Sequence, residues 1–117
     1  LRMALHYDCN YVWKHHVPVA KEFEVTQAEL DAVREQPLGP VFSDRETALL
    51  ALTDEMVLHR NVGDAAWSKY KPELTDSEII DLISLVSQYV LFSLANNVLR
   101  VEVERNLDEI EPLHPGM

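Results

Sequence analysis

The stretch LTDSEIIDLISLVSQYVLFSLANNVLRVEVE, residues 74–104, decides the fold of this chain. Its Thr75 and Glu78 have the spacing of a capping box, in which each side chain accepts a hydrogen bond from the other residue's backbone N–H. Apolar residues then fill more than one stripe of the helix: Ile79, Ile80, Leu82, Ile83, Leu85, Val86, Val90, Leu91, Phe92 and Leu94. A helix that is apolar nearly all round lies at the centre of a fold or is buried in an assembly. We therefore predict a central helix over residues 76–99.

Helix-start signals also punctuate the chain upstream of this helix. Thr26 and Ser43 each stand three residues before a glutamate, which predicts two more capping boxes. The segment DAAWSKYK then indicates a short helix with Asp64 as its cap. No segment alternates with a period of two, so the predicted fold class is all-α.

The composition is that of an acidic, ordered protein. The chain has 117 residues, 47% of them hydrophobic and three of them glycine, which suits one domain over 1–117. The net charge of −10 disfavours nucleic acid as a partner. No run approaches the ~18 apolar residues of a membrane span, and the single cysteine fits a cytoplasmic location. We expect further residues before Leu1, which already stands in an apolar segment, and a frayed tail over 111–117.

The segment DCNYVWKHHVPVA, residues 8–20, contains the residues with most chemical potential. Asp8 or Asn10 is a suitable cap for a helix here. Pro18 lacks a backbone N–H, so we expect the helix to kink or break near it. Steps of three and four residues place one set of side chains on a common face: Cys9, Val12, His16, Ala20 and Phe23.

Each of these candidates has a structural and a functional interpretation. Cys9 would lie in the first helical turn, where peptide dipoles favour a thiolate, but a buried unreactive cysteine fits as well. His16 is either a hydrogen-bonded core histidine or an acid/base group. His15 points away from that face and can pair with Tyr11 one turn earlier. In the central helix, Tyr89 is a polar group that lines a pocket or links neighbouring helices.

The spacing of metal ligands gives no support for a metal site. Glu55 and His59 are an i,i+4 pair, but a metal needs more ligands, and no second Glu-x-x-His is present. No glycine-rich phosphate loop is present either. We therefore expect no metal and no cofactor.

The ordered motifs YVWKHHVPVA, S-x-x-E-x-A-L-L, T-D-E-M, V-G-D-A-A-W and L-T-D-S-E-I-I-D-L-I-x-L-V-S-Q-Y run through most of the chain. This order resembles the carboxymuconolactone decarboxylase family, whose fold is shared with alkylhydroperoxidase D-like proteins. The resemblance covers roughly residues 1–100. It implies an alkylhydroperoxidase D-like helical bundle that assembles as a homo-oligomer, a trimer or hexamer. The acidic charge, in turn, leads us to expect no nucleic-acid and no membrane partner.

The resemblance also bears on the site residues. The peroxidase branch carries C-x-x-C-x-x-x-H, which falls here on Cys9, Val12 and His16, so the dithiol is absent. In the decarboxylase branch the chemistry is free of cofactors, and His16 is the implied acid/base group. Tyr11, His15 or Tyr89 would then hydrogen-bond the small-molecule substrate's carboxylate or the developing oxyanion.

Three functions remain open from the sequence. The first is cofactor-free acid/base chemistry on a small lactone or related carbon acid through His16. The second is a peroxiredoxin-like antioxidant activity through Cys9 with an external thiol as resolving partner. The third is a non-catalytic, oligomeric small-molecule binder.

We predict that the protein is an obligate oligomer built from trimers. The helix over 76–99 is too apolar to be covered by the few short helices of a 117-residue protomer. Light scattering at micromolar concentration measures the assembly state. A monodisperse monomer would contradict this prediction.

Overall fold

The computed structural model describes residues 1–115 as six α-helices and two short 3-10 turns. The helices are α1 (Arg2–His6), α2 (Asn10–Glu22), α3 (Gln27–Val33), α4 (Asp44–His59), α5 (Asp64–Tyr70) and α6 (Asp76–Val98), and the turns are Lys71–Glu73 and Arg105–Leu107. The described residues contain no strand, which confirms the all-α class.

The three predicted capping boxes are present with both of their hydrogen bonds. At the start of α4, for example, the Glu46 N–H donates to Ser43 Oγ at 3.2 Å and the Ser43 N–H donates to a Glu46 carboxylate oxygen at 3.0 Å. Thr26 and Thr75 do the same for α3 and α6. These side chains satisfy backbone donors that the helix itself leaves free, so the starts of three helices follow from local sequence.

Two other capping predictions are wrong. α5 begins at Asp64, and its cap is Gly63 without a side-chain hydrogen bond. The cap of α2 is Cys9, because Asp8 and Asn10 have partners in the C-terminal segment instead. α2 also continues through Pro18, so of the predicted kink or break the break is absent.

Four helices end next to a non-glycine residue in the left-handed region. These residues follow α1, α2, α4 and α6 and are Asp8 (φ 49°), Glu24 (φ 64°), Arg60 (φ 56°) and Arg100 (φ 53°). A left-handed residue commonly terminates a helix, and glycine is its usual identity because it has no Cβ. With three glycines in the sequence, this chain uses polar and charged residues there.

The interior consists of two hydrophobic clusters. The first joins α1, α2 and α3 around Cys9, Trp13 and Leu30, and it includes Leu113 from the C-terminal segment. The second joins α1, α4 and α6 around Leu52 and other apolar residues. Because Leu113 is only 2% exposed, the prediction of a frayed tail is wrong for residues 111–115. Residues 116 and 117 lie outside the described part of the chain.

α6 is the central helix and contacts α1, α2 and α4. Its inward face buries Ile79, Leu82, Val86 and Ser93. Its opposite face exposes large apolar side chains: Ile80, Ile83, Leu85, Leu91, Phe92, Leu94 and Val98. By length and composition alone, α6 also meets the criterion for a membrane span, as core helices of soluble proteins can. The packing within a single chain does not account for this exposed apolar face.

Ser93 provides a test of this packing. Its hydroxyl is fully buried and has no hydrogen-bond partner within residues 1–115. An unpaired buried hydroxyl costs free energy, so Ser93→Ala is expected to leave the free energy of unfolding unchanged or to raise it by up to about 1 kcal/mol. Urea denaturation measures the change.

Thr53→Val is the matched control, because the Thr53 hydroxyl is buried and donates to the Leu49 carbonyl at 2.8 Å. Loss of that satisfied hydrogen bond is expected to lower the free energy of unfolding by about 1 kcal/mol. An equal loss of stability in Ser93→Ala and Thr53→Val would show that Ser93 has a partner.

Candidate functional site

His16 lies in α2 with both of its ring nitrogens hydrogen-bonded. Its Nδ1 is 2.8 Å from the carbonyl oxygen of Val12, one turn earlier in the same helix. A carbonyl oxygen only accepts, so Nδ1 carries the proton and donates it. The neutral imidazole therefore has its lone pair on Nε2, the nitrogen that points away from its own backbone.

Tyr89 of α6 contacts that lone pair. Its hydroxyl oxygen is 2.6 Å from His16 Nε2, and the two rings are edge to face with centroids 5.2 Å apart. Since Nε2 of the neutral ring accepts, the Tyr89 hydroxyl is the donor. Burial lowers the pKa of His16 below its usual 6.5 and outweighs the opposite effect of the Val12 carbonyl. At neutral pH the pair is thus an uncharged base bonded to a phenol.

Two cavities meet at this pair. The first, which we name the leucine cavity, has a volume of about 360 Å³ and apolar walls that include Leu49, Leu82 and Val86. The second, the aromatic cavity, has a volume of about 280 Å³. Its lining consists of Tyr11, Val12, His15, His16, Tyr89, Phe92 and Asn96. His16 and Tyr89 line both cavities, so a small molecule in either one reaches the hydrogen-bonded pair.

Glu104 does not line the aromatic cavity itself but binds two residues that do. One carboxylate oxygen is 2.6 Å from His15 Nε2, and the other accepts from the Tyr11 hydroxyl at 3.1 Å. The Tyr11 and His15 rings stack with centroids 4.3 Å apart, which confirms the predicted i,i+4 pair. The hydrogen bond to the Glu104 carboxylate raises the pKa of Tyr11. A hydrogen bond from its own backbone N–H and one from His15 lower the pKa of Glu104.

Cys9 lies apart from this arrangement. Its side chain is fully buried in the first hydrophobic cluster, beside Val12, Trp13 and Leu113. It lines neither cavity at His16. A thiol without solvent contact is inaccessible to peroxide in this conformation, because reactive cysteines need partial exposure.

A second polar network lies beside the leucine cavity. The Arg2 guanidinium pairs with both carboxylate oxygens of Asp54 at 2.8 and 2.9 Å and donates to the carbonyls of Val33 and Glu35. His6 Nε2 is 2.6 Å from the same carboxylate. Burial opposes ionisation of Asp54, but the hydrogen bonds from His6 and Arg2 outweigh it and lower its pKa. Every donor nitrogen of Arg2 is occupied, so the network holds α1 against α4 and leaves no free cation for a ligand.

Metal ligands do not converge within residues 1–115. Glu55 and His59 form their expected pair at 3.2 Å, with no third ligand beside them. No group of three or more histidine, cysteine, aspartate or glutamate side chains in the described residues is arranged to hold a metal ion.

Comparison of the chain with protein-family models, with curated proteins and with solved structures finds no match.

The structure brings together four of the five residues that the sequence singled out. Tyr11, His15, His16 and Tyr89 line one cavity, and Cys9 is the residue left out. Glu104, which is 89 positions from His15, was not among the predicted residues. Local spacing does not detect a pair at such a distance, and the only signal was two acidic residues in an otherwise apolar stretch, VEVE over 101–104.

The lowered pKa of His16 predicts a pH dependence of stability. The unfolded chain binds a proton at His16 near its usual pKa of 6.5, whereas the folded protein binds it only at lower pH. The free energy of unfolding should therefore decrease as pH falls below about 6.5, and His16→Gln should lack this part of the decrease. Urea denaturation at about pH 7.5 and about pH 5.5 measures it.

His59→Gln is the control, since the His59 side chain is 64% exposed. It should keep the wild-type pH dependence. If wild type and His16→Gln lost the same free energy between the two pH values, the burial of a neutral His16 would be refuted.

Proposed function

We propose that the protein is a carboxymuconolactone decarboxylase-like enzyme that performs cofactor-free proton transfer on a small lactone or related carbon acid. In this proposal the His16–Tyr89 pair is the acid/base group. The observation that carries it is the 2.6 Å hydrogen bond between Tyr89 and a neutral imidazole, on the wall common to two cavities. The alkylhydroperoxidase D-like fold belongs to the same proposal, supported by the all-α architecture and by the motif resemblance.

Decarboxylation without a cofactor requires a group that protonates the product carbanion, and it does not require a strongly charged pocket. When a carboxylate group β to a carbonyl loses CO₂, the bonding electrons stay behind as an enolate. That enolate must take one proton on carbon. The Tyr89 hydroxyl is a donor at the border of the leucine cavity, whose apolar walls fit the carbon skeleton of such a substrate.

His16 then restores the donor. When the Tyr89 hydroxyl has turned to protonate the enolate, the free Nε2 takes a proton that water delivers through the aromatic cavity and passes it to the Tyr89 phenolate, so that the net reaction consumes one solvent proton. Fixation of Nδ1–H by the Val12 carbonyl keeps Nε2 directed at Tyr89 throughout. Because burial lowers the pKa of His16, its protonated ring gives up the proton easily to the Tyr89 phenolate.

The polar groups of the aromatic cavity support the same proposal. Tyr11 and His15 line this cavity together with His16, and Glu104 fixes the orientation of both. They are the groups through which we propose the substrate is oriented. Self-assembly into trimers or hexamers is part of the proposal as well, supported by the exposed apolar side chains of α6.

The other two functions make different demands on the same residues. A thiol peroxidase needs an accessible Cys9, and the full burial of this side chain favours proton transfer over thiol chemistry. A non-catalytic binder needs His16 and Tyr89 only as a link between α2 and α6. Substitution of the pair separates these alternatives.

We expect His16→Gln and Tyr89→Phe each to lower kcat by roughly 10²–10⁴-fold, the usual contribution of a positioned proton donor or relay. Both variants keep the size of the side chain, so the fold should persist. CO₂ release from a panel of lactone carboxylic acids, followed with the wild type first, provides the assay.

Cys9→Ala is the control and should leave kcat within about a factor of three, because Cys9 lines neither cavity. Near-wild-type turnover in both His16→Gln and Tyr89→Phe would contradict the proposal. Peroxide consumption that disappears in Cys9→Ala would replace it with the thiol function.

A further inference from the structure

A third cavity borders α6 and shares Val86 with the leucine cavity, but neither His16 nor Tyr89 lines it. It has a volume of about 730 Å³ and is bordered by α1, α4, α5 and α6. We name it the Trp67 cavity. Its walls are mainly aliphatic, with Met56, Val57, Ile79, Ile83 and Val90 among them, and Trp67 covers part of one side. Binding pockets for small ligands typically have volumes of about 300–1,000 Å³ and apolar walls.

Arg60 is the one charged residue in the lining of this cavity. It is exposed, and its guanidinium makes no ion pair or hydrogen bond within the part of the chain that the structure describes. Arg2, Arg34 and Arg45, in contrast, pair with carboxylates. Of the two acidic residues nearest to Arg60 in sequence, Asp64 makes no ion pair with it within residues 1–115, and Glu55 is paired with His59. Arg60 therefore keeps its positive charge available.

Asn61 provides a second donor beside it. Its side-chain oxygen accepts from the Val62 N–H at 2.8 Å, which fixes the orientation of the amide. Its NH₂ group has no acceptor among residues 1–115. An unpaired guanidinium and an amide NH₂ on adjacent residues are complementary to a carboxylate.

We propose that the Trp67 cavity binds an amphipathic monoanion, namely a medium-chain aliphatic carboxylate, with its chain among the aliphatic walls and its carboxylate on Arg60 and Asn61. The charge complementarity between one free cation and an otherwise uncharged cavity identifies the head group. The aliphatic walls identify the tail. This site is separate from the His16–Tyr89 pair and does not depend on the proposed proton transfer.

Calorimetric titration with three ligands of equal chain length tests the head group: decanoate, decanol and decyltrimethylammonium below their micellar concentrations. We expect decanoate to bind at least about tenfold more tightly than decanol, the size of a charge-assisted hydrogen bond. Arg60→Gln should reduce decanoate to the affinity of decanol. Arg100→Gln is the matched control, because Arg100 also has a positive φ after a helix but does not line the cavity.

Two serines of α6 test the location. Ser87 lines the cavity and Ser84 does not, and both are exposed, so a phenylalanine at either position should be compatible with folding. Ser87→Phe should abolish decanoate binding, and Ser84→Phe should leave it unchanged.

Three results would overturn the proposal: no decanoate binding, equal affinities for decanoate and decanol, or decanoate affinity unchanged in Arg60→Gln. If Arg60 only stabilised the end of α4, Arg60→Gln would lower the free energy of unfolding and leave the affinity for decanoate unchanged. A fourth result would replace the ligand with another occupant. If the wild-type oligomer bound no decanoate and Ser87→Phe dissociated that oligomer, the cavity would be filled by a second copy of the chain.

Discussion

The hydrogen bond between Tyr89 and His16 connects the two halves of this protein. Tyr89 is the one described residue that packs against both hydrophobic clusters, and its hydroxyl ties α6 to α2. Each partner has polar atoms that would be costly to bury alone. Paired with each other and with the Val12 carbonyl, they satisfy those atoms while they remain at the border of two cavities.

The same pairing gives the site its chemistry. The Val12 carbonyl fixes the tautomer, partial burial keeps the ring neutral, and the Tyr89 hydroxyl supplies the proton of the hydrogen bond that joins the two side chains. A core histidine needs the first two features for stability, and an acid/base pair needs all three together with access from solvent. The cavities on both sides supply that access, which is why we propose proton transfer for His16 in addition to a packing role.

The sequence patterns correctly predicted the features that depend on interactions between residues close in sequence. The capping boxes, the apolar central helix and the Tyr11–His15 pair all depend on residues within one or two turns, and all are present. Two errors are local, the Asp64 cap and the break at Pro18, and the others come from contacts distant in sequence. Asp8 and Asn10 were expected to cap α2, but the C-terminal segment binds both. Glu104 reaches the site through that same segment, and no periodicity in the sequence places it there.

The protonation state of His16 is the most direct test of this account. Nitrogen-15 NMR of the imidazole rings, with His16 assigned by comparison with His16→Gln, distinguishes protonated from unprotonated ring nitrogens. We predict that near neutral pH Nδ1 carries the proton, that Nε2 is unprotonated, and that the ring titrates below the usual 6.5. A proton on Nε2, or a fully charged imidazolium near neutral pH, would contradict the assignment of the His16–Tyr89 pair as an acid/base group.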